Sequence, residues 1–97
     1  MTEQEMTVYG PPVMLPDSPW SADDWNPEFY RYEQIADWIG ERIGTGDYPP
    51  RTVLSEVQLQ GYFGVGRDTI RKAFAILRER KLIITKPGRG SVVILRE

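Results

Sequence analysis

Five of the eight prolines in this 97-residue chain, Pro11, Pro12, Pro16, Pro19 and Pro27, fall within its first 27 residues. Proline lacks the backbone N–H and clashes with the preceding turn, so this density forbids a continuous helix there and leaves an extended lead. Regular structure has to come from the residues beyond Pro27. The chain therefore divides into a proline-rich extension over residues 1–28 and a folded domain over residues 29–97.

Charge divides at the same place. The extension carries Glu3, Glu5, Asp17, Asp23, Asp24 and Glu28 and no basic residue, whereas residues 66–97 hold nine basic residues against three acidic ones. The formal net charge of −2 conceals both halves. A largely solvated lead is the first expectation, because a segment so poor in periodic apolar residues builds no core of its own. Val13, Met14, Leu15, Trp20 and Trp25 oppose it, and the alternative is that these residues dock on the domain or on a second subunit.

The chain has no cysteine and no histidine. Thiolate nucleophiles, imidazole bases, disulfide frameworks and Cys/His zinc sites are excluded together. No metal or other cofactor is called for, and enzyme function has no support beyond scattered carboxylates such as Asp23-Asp24, which read as hydrated. No apolar run approaches the roughly 18 residues of a membrane span, and the first thirty residues lack a signal peptide's basic start. A cytoplasmic location is expected.

Asn26-Pro27 has the form of a helix start, with Asn as N-cap and Pro at the first helical position. Tyr32, Ile35, Ala36, Ile39 and Ile43 then recur on one helical face that ends near Gly44 and Gly46. Thr52–Leu54 can supply a short strand after Pro49-Pro50. Ser55 with Gln58 is a capping-box signature for a short helix through Val57, Leu59, Tyr62 and Phe63. Gly64-Val65-Gly66 is a tight turn, and a third helix over Arg67 to about Arg80 places Ile70, Ala73, Phe74 and Leu77 on one face. Leu82–Thr85 and Ser91–Leu95 read as strands of a hairpin turning at Lys86–Gly90.

Two helices joined by a glycine-containing turn, followed by a hairpin with a basic tip, form a winged helix-turn-helix of α+β class, three helices plus a C-terminal β-hairpin wing. Residues 30–95 resemble the DNA-binding domain of GntR-family bacterial transcription regulators. The resemblance is carried by Tyr32-x-Gln34-Ile35-Ala36, Gly46-Asp47-Tyr48-Pro49-Pro50 and Leu54-Ser55-Glu56. Phe63-Gly64-Val65-x-Arg67-x-Thr69-Ile70-Arg71-x-Ala73 and Gly88-Arg89-Gly90-Ser91 complete it.

The chemistry of the third helix agrees independently. An α-helix fits the major groove, residues near its N-terminus reach base edges, and its dipole favours phosphate. Arg67 and Arg71, four residues apart, share one face, with Thr69 beside it. Arg can bond both acceptors of a guanine edge, while Thr suits a phosphate or a thymine methyl. Lys72 is open between a phosphate contact and solubility. Asp68 is open between capping the helix, accepting from a cytosine amino group and repelling phosphate. Ser55 and Gly66, at the starts of the second and third helices, complete the first candidate DNA-binding group. Lys86, Gly88, Arg89 and Gly90 form the second, where glycine permits a tight tip and Arg suits a narrow minor groove. Gly61-x-x-Gly64-x-Gly66 lacks the strand and lysine of a nucleotide loop, and Arg78-Glu79-Arg80-Lys81 reads as ordinary complementation of a helix C-terminus.

The resemblance implies a sequence-specific, double-stranded DNA-binding regulator, with repression by operator occupancy the expected mode. A homodimer through the extension or the first helix would let one small domain reach useful affinity. A location beside the nucleoid follows for a bacterial DNA binder. Other readings are a protein-interaction module on the same scaffold and a DNA-architecture or excision factor of a mobile element. The sequence departs from the family pattern where Leu54 leads straight into Ser55 without proline, where Arg51 replaces a usual glycine, where Gly66 replaces serine, and where Val57 replaces an arginine able to touch DNA. Family members commonly carry a further effector-binding domain. This sequence ends directly after the wing, so no effector site is expected in it.

Overall fold

The computed structural model describes residues 13–87 and 90–94. Three helices, α1 (Arg31–Thr45), α2 (Glu56–Phe63) and α3 (Arg67–Glu79), pack with a three-stranded antiparallel sheet of β1 (Val53–Leu54), β2 (Ile83–Lys86) and β3 (Gly90–Val93). The strand order is β1-β3-β2, with Val53 opposite Val92 and Ile84 opposite Val92 on the other side. Ile35, Ala36 and Ile39 of α1 meet Ile70, Ala73, Phe74 and Leu77 of α3, all buried. Leu59 and Phe63 from α2 and Ile83 and Val93 from the hairpin close the same core.

The first helix starts at Arg31, later than the Asn-Pro signature implies. The reason is local hydrogen bonding. Asn26 Oδ1 accepts the Glu28 N–H at 3.0 Å, a turn that Asn side chains form in competition with helix. The Gln34 amide donates to the Asn26 carbonyl and accepts the Asn26 N–H, which clamps the turn to the helix. Glu33 instead caps the helix by accepting the Tyr30 N–H. The Tyr30 side chain is exposed and stacked on Tyr32. Val57 is likewise exposed on α2. In the hairpin, β2 begins one residue later and β3 one residue earlier than the sequence pattern implies.

Residues 13–25 lie against the domain itself. The Val13 N–H donates to the Val53 carbonyl at 2.8 Å along the free edge of β1, and the Tyr48 hydroxyl donates to the Met14 carbonyl at 2.6 Å. The Trp20 backbone N–H donates to the Tyr62 carbonyl at the end of α2 at 2.9 Å. Trp20 and Trp25 then enter an aromatic cluster with Trp38, Tyr62 and Phe63. Burial of these large rings outweighs the entropy of a free lead, which is why the segment is not merely solvated.

Among the described residues, two that are not glycine occupy the left-handed region. Lys81 (φ 62°) follows α3 in a Schellman-type ending, with the Leu82 N–H bonded to the Leu77 carbonyl. Arg51 (φ 80°) stands where the family pattern has glycine. A side chain there is strained by roughly 1–3 kcal/mol, while glycine costs about 0.5–1 kcal/mol of extra chain entropy. Arg51→Gly is therefore expected to stabilise the domain by about 1 kcal/mol in urea denaturation, and a lower midpoint would show the strain to be absent.

The buried Tyr48 phenol has its pKa pushed up to about 12, chiefly by desolvation and against the pull of Arg42. Its ordinary value is near 10, so the unfolded chain releases this proton first. The stabilisation is complete below pH 10 and is lost as pH rises from 10 through about 12. Stability is expected to fall over that window by up to about 1.4 kcal/mol per pH unit from this group. Tyr48→Phe should flatten the fall in denaturation curves; an unchanged pH profile would assign it to other groups.

Candidate nucleic-acid interface

The start of α3 combines an open helix N-terminus with exposed charged side chains. Gly66 is its N-cap, in extended backbone, and an added Cβ there would meet nothing within 4 Å. The first amides of α3 have no intrahelical acceptor and face this open approach, with the positive end of the helix dipole behind them. Arg67, Asp68, Arg71 and Lys72 are exposed and Thr69 is half-buried. The opposite face, Ile70, Ala73, Phe74 and Leu77, is sealed in the core. Apolar anchoring thus fixes which side chains α3 presents.

Each candidate residue has a definite place. Ser55 caps α2, its hydroxyl oxygen accepting the Gln58 N–H at 3.1 Å. Asp68 lies in the first turn of α3, where a carboxylate suits the dipole. Lys72 turns away from the arginines, its ammonium 5.6 Å from the centre of the Tyr32 ring at the start of α1. Lys86 is exposed at the end of β2 opposite Gly90, whose φ of 88° requires the glycine. Gly88 and Arg89 lie outside the described residues.

Tertiary contacts add side chains that linear reading did not select. Glu56, at the start of α2, places Oε2 3.4 Å from Arg71 Nε. Arg78 donates to Thr85 Oγ1 at 2.9 Å, and Thr85 lies 2.8 Å from Ser91 Oγ, so α3 is tied to both wing strands. Arg80 pairs with Asp37 of α1 at 3.1 Å. The 78–81 basic string is thus structural at Arg78 and Arg80. No spacing rule on one helix could reveal contacts that depend on packing between elements. Among the described residues there is no group of three or more His, Cys, Asp or Glu placed to hold a metal, and no helix long and apolar enough to cross a membrane.

A buried-faced helix after a glycine turn (Gly64, φ 67°) and a two-stranded wing behind it define a winged helix-turn-helix domain. The model of the bacterial regulatory proteins of the gntR family matches residues 31–93. The chain belongs to that family. It is 41% identical over 63 residues to the mannosyl-D-glycerate transport/metabolism system repressor MngR of Escherichia coli, a match covering 64% of this chain and 26% of MngR. The chain thus spans about a quarter of the length of the curated relatives it matches.

Among solved structures, the GntR-family transcription factor YtrA from Sulfolobus acidocaldarius superposes with a TM-score of 0.66 at 30% identity, covering 74% of this chain and 77% of YtrA. The AraR DNA-binding domain in complex with operator ORE1 superposes with a TM-score of 0.62 at 31% identity, covering 81% and 94% of the two chains.

Proposed function

We propose that this chain is a sequence-specific, double-stranded DNA-binding transcription regulator that acts by occupying an operator, with repression as the mode. The observation that carries the reading is the division of α3 into a sealed apolar face and an exposed face bearing Arg67 and Arg71. In this reading the arginines bond guanine edges in the major groove. The open amides at Gly66–Thr69 receive a phosphate, and Lys72 lies to one side of them. By the family resemblance, Lys86, Gly88, Arg89 and Gly90 are assigned to the DNA backbone or the minor groove. The description of the similar MngR as a repressor and the operator complex of the AraR domain support it by analogy.

One domain contacts few base pairs, and specific affinities of ~10⁻⁸ M or tighter call for more surface than a single module supplies. Two copies on an inverted repeat meet that need. Trp20 and Trp25 are engaged within the chain, so contact between copies uses other residues, and the exposed Phe29 and Tyr30 are available for it. The setting is the cytoplasm of the cell, beside its DNA, with no catalysis and no cofactor assigned.

Selection of bound duplexes from a random pool, followed by affinity measurements at several salt concentrations, tests the reading. Enrichment of a motif is expected, with log affinity falling about 0.9 for each neutralised phosphate per decade of salt. An enriched half-site without its repeat removes the dimer. No motif and no salt dependence removes DNA binding altogether and turns attention to a protein-interaction role for the scaffold.

A further inference from the structure

We infer that Glu56 is a positioning residue for base reading, holding Arg71 by its Nε so that both Nη groups are presented to the groove. This rests on the DNA-reading role proposed above and deepens it. Glu56 and Arg71 are fifteen positions apart, and their contact, Nε to Oε2 at 3.4 Å, exists only because α2 packs on α3.

The choice of donor atom matters. A guanidinium offers five N–H donors in one plane. A carboxylate on Nε takes the donor nearest the stem and leaves the terminal Nη1/Nη2 fork, which matches the O6 and N7 acceptors of guanine. An unheld arginine loses rotamer freedom when it docks, so a side chain already restrained binds with less entropy loss. The pair contributes little to folding, since both side chains are substantially solvated at 58% and 33% exposure. A second inter-helix ion pair among the described residues, Arg80–Asp37, lies at the far end of α3 and has no such consequence for the reading face.

The carboxylate has a second effect. It places a negative charge beside the phosphate path, which weakens binding to any duplex regardless of sequence. Glu56 therefore widens discrimination through Arg71, while its charge lowers affinity for all duplexes alike. A purely structural role for Glu56 would alter neither.

The test uses the full chain, the duplex selected above and a scrambled duplex of equal length, at one fixed salt concentration. Glu56→Ala is expected to shrink the ratio of specific to scrambled affinity by about three- to ten-fold, with scrambled binding unchanged or tighter. Glu56→Gln, which keeps an uncharged acceptor, should fall between wild type and Glu56→Ala, with an unaltered melting temperature. Because Glu56 acts through Arg71, Glu56→Ala combined with Arg71→Ala should lose no more discrimination through the arginine than Arg71→Ala alone. A wild-type ratio in Glu56→Ala, or losses that simply multiply, overturns the inference while leaving the regulator reading intact. A wild-type chain that does not discriminate between duplexes removes the regulator reading and this inference with it.

Discussion

Phe63→Ala is expected to cost about 3–5 kcal/mol and to leave much of the protein unfolded under native conditions. Phe63 ends α2 and is buried, with ring centroids 5.2 Å from Trp20, 5.4 Å from Trp38 and 4.9 Å from Tyr62. Truncation removes the apolar area of the ring and opens a cavity among side chains too rigid to collapse into it. The aromatic contacts add about 0.5–1.5 kcal/mol for each well-placed pair. Domains of this kind carry roughly 5–15 kcal/mol in total, so one ring is a large fraction. Urea denaturation followed by tryptophan fluorescence reads the loss, since all three tryptophans of the chain lie in or beside the cluster. A shift below about 1 kcal/mol would mean that the docked lead and α2 are not mechanically joined. Trp20→Ala should destabilise as well, and its effect should be strongly non-additive with Phe63→Ala because the rings touch.

The second large effect falls on recognition and leaves the fold alone. Arg71→Ala and Arg67→Ala are each expected to lower affinity for the selected duplex by about 1–3 kcal/mol, roughly five- to 150-fold, at constant salt. Their melting temperatures should match wild type, because both side chains are exposed and neither carries core contacts. The two outcomes distinguish base contact from phosphate contact. A base-reading arginine relaxes preference at one position of the motif, whereas a phosphate-contacting one weakens all duplexes alike and reduces the salt slope by about one. Arg71→Ala with unchanged affinity and unchanged preference would remove α3 as the reading helix.

How far the sequence discloses this protein depends on the range over which each signal acts. The apolar faces of α1 and α3 are legible at Ile35, Ala36 and Ile39 and at Ile70, Phe74 and Leu77, because helical periodicity is imposed by the same burial that the fold satisfies. The start of α2 is legible at Ser55, since a cap is a contact between residues three apart. The start of α1 is not legible at Asn26. The residue types of a cap and of a turn are the same, and the decision between them lies with Gln34, eight positions away. The arginines of α3 are legible as a face. Their relation to Glu56 is not, because it crosses between helices.

The extension shows the same boundary from the other side. Its prolines and acids are consistent with a solvated lead, and its apolar residues, Trp20 and Trp25 above all, point the other way. Whether an indole is buried depends on a receiving surface, here the rings of Trp38, Tyr62 and Phe63 brought together by α1 and α2.

Sequence by itself determined the element order, the helix faces and the identity of the exposed basic residues. Local sterics and burial periodicity act within a few residues, so they survive in the linear order. Tertiary structure alone decided that residues 13–25 fold back on the domain, that Arg78 braces the wing through Thr85, and that Arg71 meets Glu56. Those contacts join residues brought together from different elements, and their energy exists only once packing has carried both partners to the same place.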